Sequence, residues 1–163
     1  MATETPVLIG HSDGASIALI YAGAGVRPVA GVVALAPHVV VEERSLAGIR
    51  AARHEYLHGD LPVRMGRYHD DPDATFWGWN DIWLSDSFRG WNIEEYLPAI
   101  TCPVLLVQSA DDQYGSLDQL DRIERQVTGP VERLILPDGG HAPHLTHLET
   151  VGPRIAAFVS SLT

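Results

Sequence analysis

The sequence predicts an α/β protein: a parallel sheet of about four strands, covered on both faces by helices and interrupted by a helical insertion. Short apolar runs alternate with helix-like stretches, which is the pattern of a parallel sheet. One internal stretch differs in composition from the rest of the chain. Of the 163 residues, 45% are hydrophobic and 20% charged, which excludes collagen-like, mucin-like and disordered chains.

The first strand and the first helix meet at a sharp turn. Residues 6–10 form an uninterrupted apolar run, PVLIG, that ends in glycine. Residues 12–22 follow at once, and their larger apolar side chains suit a buried helix: Ile17, Leu19, Ile20 and Tyr21. We expect a strand, a turn and a helix in that order.

Two further apolar runs predict the middle strands. Residues 29–36, VAGVVALA, are small and β-branched, as expected of a strand covered on both faces, and the run stops at Pro37. Residues 101–109, TCPVLLVQS, form the next run.

The rest of the chain predicts a helix, a strand and a last helix. The first of these helices covers residues 117–127, with a capping box formed by Ser116 as N-cap and Gln119 three residues later. Val131–Leu136, VERLIL, is the last strand. The final helix is expected over residues 147–162.

A helical insertion separates the second strand from the third. Residues 41–97 contain four helix-like stretches, and one of them begins at Asp71 and Pro72, a good pair for an N-cap and a first helical turn. We therefore divide the chain into a first part of the core (residues 1–40), the insertion (41–97) and a second part of the core (98–163).

Aromatic residues are concentrated in one short piece of this insertion. All four tryptophans and two of the three phenylalanines fall there. The rings can form the insertion's own core or face a pocket, because ligand pockets are lined mostly by apolar and aromatic side chains. Both interpretations stay open, and the residues that we assign to substrate binding here are Trp77, Trp79 and Trp83.

Charge and cysteine content exclude several classes of partner. Arginine supplies all 11 cations against 21 Asp and Glu, and the net charge of −10 argues against nucleic acid. Cys102 is the one cysteine, so no internal disulfide can form. No apolar run is long enough for a membrane span, and no signal peptide is visible. We expect a cytoplasmic protein with no membrane partner.

The strongest motif lies at the first turn. Gly10-His11-Ser12-Asp13-Gly14 has the form G-x-S-x-G and lies between an apolar strand and a helix, the context in which this motif presents a nucleophilic serine. The turn strains the backbone of Ser12, so both flanking positions are expected to need a residue without bulk. A glycine-rich turn or a phosphate-binding loop is the alternative that the motif leaves open.

A serine nucleophile needs a base and an acid, and both follow in a suitable order. Asp111 and Asp112 come after the third strand, and His141 comes after the fourth, preceded by two glycines that allow close backbone approach. Catalytic groups gather at these carboxyl ends of parallel strands. We choose Asp112 as the acid because Asp111 is closer to the strand end and can form a turn; the choice between the two stays open.

Other histidines have less distinctive positions. His11 lies inside the turn and is expected to pack or bond below the nucleophile, whereas His144 and His147 are expected at the surface or as caps. His38 follows a strand end, so it either lines the pocket or caps the insertion, and we include it among the substrate-binding residues. The insertion's histidines lack the spacing of a metal site, so we expect no metal and no cofactor: His54, His58 and His69.

Together these pieces resemble the carboxyl-terminal part of an α/β-hydrolase fold protein, in the esterase-like group that includes valacyclovir hydrolase-like and enol-lactonase-like enzymes. The matching pieces are PVLIGHSDGASIALIYA, ALAPHVVVEE, the insertion from SLAGIRAAR to WNIEEYLPAI, PVLLVQSADDQYGS and LPDGGHAPHL. They cover essentially the whole chain. Two departures are Ala15, where a third glycine is common, and Ser109, where the acid loop usually has glycine.

The resemblance implies a role for each matching residue. Ser12 would be the nucleophile, His141 the base, Asp112 the orienting acid, and the backbone N–H of Asp13 one donor to the oxyanion. We therefore expect a serine hydrolase that cleaves a small ester, lactone or related acyl substrate. C–C bond cleavage or lyase chemistry with the same residues stays open, because the fold supports many reactions.

One part of the fold is missing from the resemblance. In such proteins several strands precede the nucleophile, and a loop after an early strand supplies the second oxyanion donor, whereas here only one strand comes before Ser12. The outer edge of that strand, residues 7–10, is apolar and open to pairing, so we expect a homodimer through it. The alternative function is a non-catalytic remnant or interaction module of the same fold.

Overall fold

The computed structural model describes residues 5–162 and contains a four-stranded parallel sheet. The strands pair in the order β1-β2-β3-β4, which confirms the predicted fold class. They are β1 (Val7–His11), β2 (Gly31–Leu35), β3 (Val104–Ser109) and β4 (Val131–Leu136).

The described part of the chain contains seven α-helices. They are α1 (Asp13–Gly23), α2 (Glu43–His58), α3 (Leu61–Met65), α4 (Pro72–Leu84), α5 (Asp118–Gln126), α6 (Pro143–Thr146) and α7 (Leu148–Ser160), with 3-10 turns at Asp86–Phe88 and Glu94–Ala99. None of the helices within residues 5–162 combines the length and the apolar character needed to cross a membrane.

The core lies around the two central strands. Every residue of β2 and β3 is buried, and for β2 this is what its run of small and β-branched residues predicts. On one side, Val33 and Val107 belong to a cluster with Val151 and Phe158 of α7. Burial of these strands fixes the positions of the loops that follow them.

The edge strand β1 and helix α1 are less buried than the sequence predicts. Leu19 is fully buried, but Ile17 and Ile9 are 65% and 56% exposed. An apolar groove runs between β1 and α1, and Tyr21 also lines it. Within residues 5–162, β1 pairs with β2 alone, so nothing described here covers this apolar surface. The homodimer that we expect through this edge stays a prediction.

The chain forms two compact units. One extends up to Val40 and resumes at Asn92, and the other is Val41–Trp91. The predicted insertion ends later, at residue 97, because its sequence continues in short helical turns. In the structure Ile93 N donates to Val39 O (2.9 Å), and Val40 and Asn92 form an antiparallel bridge. These bonds join the two points at which the chain leaves and re-enters the first unit.

Helices α2 and α4 pack together in the second unit through an aromatic pair. The rings of Tyr56 and Phe76 are stacked, with centroids 3.9 Å apart. The Tyr56 hydroxyl donates to Asp73 Oδ1 (2.5 Å), and this bond raises the pKa of Tyr56 to about 12. Asp71 caps α4 by accepting from Ala74 N (2.8 Å), which confirms the predicted helix start.

Gln119 does not form the predicted capping box. The N-cap of α5 is Leu117, whose side chain makes no capping bond, while Ser116 Oγ accepts from Asp118 N (3.2 Å) at the first helical residue. The Gln119 side chain is instead fully buried: its Oε1 accepts from Val39 N (2.8 Å) and Val40 N (3.3 Å), and its Nε2 donates to Val40 O (3.0 Å). The segment after β2 needs partners for these backbone groups, and a buried amide supplies all of them.

This arrangement predicts an unequal cost for two glutamines of α5. Gln119→Ala leaves buried backbone groups of residues 39 and 40 without a partner, so we expect a loss of about 2–4 kcal/mol in the free energy of unfolding. Gln126→Ala removes only partly exposed bonds and should cost about 0.5–1 kcal/mol. Urea denaturation measures both, and equal losses would contradict the role of Gln119.

Candidate active site

Ser12 lies in a strained turn between β1 and α1. Its φ is 55° and its ψ is −125°, a conformation that costs energy in a residue with a side chain. Ser12 N donates to Leu35 O (2.9 Å), which ties the turn to the next strand. A Cβ on Gly10 would lie 2.2 Å from Gly14 O, so glycine is required at position 10.

Gly14, the other glycine of the motif, has no such requirement. A Cβ added there would meet nothing within 4 Å among the described residues. The expectation that both flanking positions must lack bulk therefore holds for Gly10 and is wrong for Gly14. The reason is that Gly14 is already in α1, with its α-carbon facing open space.

The two acids after β3 have different partners. Asp112 is fully buried, and its Oδ1 accepts from Tyr114 N (2.8 Å). Asp111 is exposed, and its carboxylate accepts from Gly140 N (2.8 Å) and Gly139 N (3.3 Å). Asp111 is thus a backbone acceptor, as the turn interpretation suggests, but it binds the loop after β4 rather than its own loop.

The loop after β4 depends on its two glycines. Gly139 has a φ of 118° and Gly140 a φ of 64°, and glycine is the residue that enters this region without strain. A Cβ on Gly139 would also lie 2.6 Å from Thr146 Oγ1. This tight turn brings His141 back toward the ends of the other strands.

Ser12, His141 and Asp112 form a continuous line of hydrogen bonds. His141 Nδ1 lies 3.0 Å from both carboxylate oxygens of Asp112, and His141 Nε2 lies 2.8 Å from Ser12 Oγ. A carboxylate only accepts, so Nδ1 carries the proton and Nε2 is left to accept from the serine hydroxyl. This tautomer is the one in which a histidine can remove a proton from serine.

Tyr114 and His38 flank the His141 ring. The Tyr114 centroid is 4.7 Å and the His38 centroid 5.8 Å from that of His141. Burial raises the pKa of Tyr114, and the charge of Asp112 raises it further, so the phenol stays neutral. His38 is buried, and its carbonyl accepts from Ser16 Oγ (2.6 Å). The position of His38 suits the pocket interpretation, and its substrate-binding role stays a prediction.

Three other histidines lie near or beyond the base. His11 Nε2 donates to the backbone oxygen of His141 (2.6 Å). His144, for which the sequence predicts a surface or capping position, is half-buried, with its ring 4.6 Å from that of His11. His147 occupies the N-cap position of α7, but its side chain makes no capping bond and instead bonds Asp138 Oδ1 (2.8 Å).

The tryptophans assigned to substrate binding lie on α4 in the second unit. Trp83 is buried and contacts the rings of Phe88 and Trp91. Trp77 and Trp79 are half-buried, each beside the Phe76 ring. These rings therefore pack on one another within the unit, and their role toward substrate stays a prediction.

Sequence reasoning did not identify two parts of the site. These are Tyr114, in the loop after Asp112, and Gln108, within β3. Gln108 Nε2 donates to Gly115 O (2.9 Å) and lies 3.5 Å from Asp112 Oδ2, so it shapes the acid loop. The available signal was a glutamine one position before the end of β3, after four apolar residues. Within residues 5–162, no group of three or more His, Cys, Asp or Glu is placed to hold a metal ion.

A family comparison agrees with this geometry. A model of the Alpha/beta hydrolase family matches residues 2–152. The chain belongs to this family. The match spans the serine turn, the acid loop and His141 of this α/β-hydrolase, while the narrower resemblance to valacyclovir hydrolase-like and enol-lactonase-like enzymes stays a prediction. No curated protein matches the chain.

Solved structures show the same fold at low sequence identity. A serine hydrolase involved in carbazole degradation aligns over 98% of this chain and 66% of its own, with 18% identity and a TM-score of 0.73. A lipase-esterase related protein from Clostridium acetobutylicum aligns over 96% and 67%, with 21% identity and a TM-score of 0.71. A thermophilic esterase from Thermogutta terrifontis aligns over 98% and 66%, with 19% identity and a TM-score of 0.64. The α/β-hydrolase chain described here thus spans about two thirds of their lengths.

The two glycines of the serine turn should respond differently to the same substitution. Gly10→Ala forces a Cβ into the backbone of α1, so we expect the free energy of unfolding to fall by about 1–3 kcal/mol or more. Gly14→Ala adds a methyl group in open space and a better helix former, so we expect a change within about 1 kcal/mol. Urea denaturation measures both changes, and a Gly14→Ala loss as large as that of Gly10→Ala would contradict the assignment.

Proposed function

We propose that this chain carries the nucleophile, base and acid of a serine hydrolase that cleaves small esters, lactones or related acyl compounds. The observation that carries the proposal is the bonded line from Ser12 Oγ through the His141 ring to the buried Asp112 carboxylate. Membership of the α/β-hydrolase family supports it. The names of the esterase and lipase-esterase related neighbours favour an acyl substrate.

The first half of the reaction forms an acyl-enzyme. His141 Nε2 removes the hydroxyl proton of Ser12 while Oγ attacks the carbonyl carbon, and the carbonyl π electrons move to oxygen. The product of this attack is a tetrahedral intermediate. When it collapses, the bond from its central carbon to the leaving alkoxide oxygen breaks, and the protonated His141 gives its proton to that oxygen. An ester releases an alcohol, whereas a lactone keeps the new hydroxyl attached to the acyl group.

The second half returns the enzyme to its starting state. His141 removes a proton from water, the hydroxide oxygen attacks the acyl carbon, and Ser12 leaves with the proton that His141 returns. Asp112 keeps the Nδ1 proton in place through both halves and stabilises the imidazolium by its negative charge. Its complete burial strengthens that attraction because little water screens it.

The start of helix α1 is suited to hold the oxyanion. The helix begins at Asp13, directly after the nucleophile. N–H groups in a first helical turn point beyond the end of the helix, and the helix dipole places partial positive charge there. We propose the backbone N–H of Asp13 as one donor to the developing negative charge.

Labelling with a fluorophosphonate tests the nucleophile directly, because the reagent bonds only to an activated serine hydroxyl. We expect the purified chain to label at Ser12, Ser12→Ala to abolish labelling, and His141→Ala to slow it by about 10³-fold or more. Ser87→Ala, which alters an exposed serine of the second unit, is the matched control and should label normally. A folded chain that labels at no serine would overturn the proposal and favour the non-catalytic alternative.

Substitution of the neighbouring acids separates their roles. Asp112→Asn places an amide against His141 Nδ1 and favours the wrong tautomer, so turnover of a chromogenic ester should fall by about 10⁴-fold, the loss known for this change in a serine protease. Asp111→Asn keeps one acceptor oxygen for the glycine N–H groups and should cost at most about 10-fold. If Asp111→Asn lowers turnover more than Asp112→Asn does, Asp111 is the orienting acid.

A further inference from the structure

We propose that His11 is a positioning residue for the base, because its side chain binds the backbone of His141. Its Nε2 lies 2.6 Å from the carbonyl oxygen of His141. The inference rests on the proposed function, since it concerns how the base is held against the nucleophile. This bond involves the backbone of His141 and is separate from the hydrogen bonds that join its ring to Asp112 and Ser12.

The chemistry of the two partners fixes the direction of this bond. A carbonyl oxygen only accepts, so His11 Nε2 carries a hydrogen and donates it. His11 is the last residue of β1 and immediately precedes Ser12. The bond therefore runs from the backbone neighbour of the nucleophile to the backbone of the base, across 130 positions in the sequence.

The loop that carries His141 needs such a restraint. Two consecutive glycines precede the base, both with positive φ, and glycine gives a backbone more freedom than any other residue. Asp111 holds the loop from the side of β3 through the N–H groups of these glycines. His11, at the end of β1, binds it a second time, so two different strands each provide a residue that holds the loop.

Restraint from β1 matters for proton transfer. His11 and Ser12 are adjacent, so the bond to the His141 backbone and the contact of its ring with Ser12 Oγ both attach the base to the same turn. The distance from His141 Nε2 to Ser12 Oγ is 2.8 Å. Misplacement by about 1 Å from a change outside the chemistry can lower turnover by about 10²-fold.

The surroundings of His11 favour its neutral form. Burial has the largest effect and lowers the pKa of His11 below its ordinary value; His141 and His144 lower it further, while the bond to the His141 carbonyl and the charge of Asp112 raise it. The His11 ring lies between the rings of His141 (4.9 Å) and His144 (4.6 Å). Burial, followed by His141, likewise lowers the pKa of His144. A neutral His11 retains one N–H, and the carbonyl of His141 receives it.

Two variants separate the bond from the ring. His11→Phe keeps an aromatic ring between His141 and His144 but has no donor, whereas His11→Gln places an amide N–H₂ at a similar reach and removes the ring. On a chromogenic ester we expect His11→Phe to lower kcat by about 10–100-fold with KM within about threefold. His11→Gln should recover most of the loss. His69→Phe, on an exposed residue of the second unit, is the matched control.

The kinetic outcomes decide whether the donor or the ring matters. A His11→Phe enzyme with unchanged kcat overturns the proposal. Equal losses in His11→Phe and His11→Gln also overturn it, because a role in packing alone predicts no recovery by the donor. Circular dichroism and urea denaturation of each variant verify that the compared chains are folded.

A measurement without turnover distinguishes failure of this inference from failure of the proposed function. In a Ser12→Ala background, ¹⁵N imidazole shifts should show His11 with hydrogen on Nε2, and His11→Phe should speed amide exchange of residues 139–142 by about tenfold or more while His11→Gln restores protection. Hydrogen on Nδ1 alone, or unchanged exchange, overturns the inference. A wild-type chain that neither labels nor hydrolyses esters overturns the proposed function, and these spectra then judge the bond by itself.

Discussion

Parallel pairing that continues past the ends of the strands is the interaction on which the rest of the structure depends. One backbone bond beyond each of the strands β1, β2 and β3 ties the following loop to the neighbouring strand, with donor–acceptor distances of 2.8–2.9 Å. These bonds run from Ser12 N to Leu35 O, from Ala36 N to Val107 O and from Ala110 N to Leu136 O. They place the serine turn, the acid loop and the sheet edge in fixed register, so side chains that are remote in sequence meet there.

Much of the fold could be predicted because burial imposes a clear pattern on the chain. The fully buried strand β2 follows directly from its small and β-branched residues, β3 from an apolar run, and the start of α4 from Asp71 and Pro72. Gln119 could not be placed in this way. A local capping pattern and a long-range bond to the segment after β2 compete for the same side chain, and only the folded chain shows that the buried bond prevails.

For the candidate site, the order of strands and following polar residues along the chain was informative, because the carboxyl ends of parallel strands lie at the same edge of a sheet. The contacts among Ser12, Asp112 and His141 could therefore be anticipated, whereas their catalytic roles remain predictions. Contacts that depend on the shape of a loop could not be anticipated. Examples are the packing of Tyr114 on the His141 ring and the hydrogen bonds that Asp111 accepts from Gly139 N and Gly140 N. Sequence spacing carries little information about how a loop with two positive-φ glycines turns.

The bond from His11 to the backbone of His141 also bears on the order of folding. Its partners are 130 positions apart, and bringing such distant segments together has an entropic cost that local contacts cannot offset. β1 must pair, and β4 must close the other side of the sheet, before imidazole and carbonyl can meet. We therefore expect the site to assemble late in folding, after β1 and β4 have both joined the sheet.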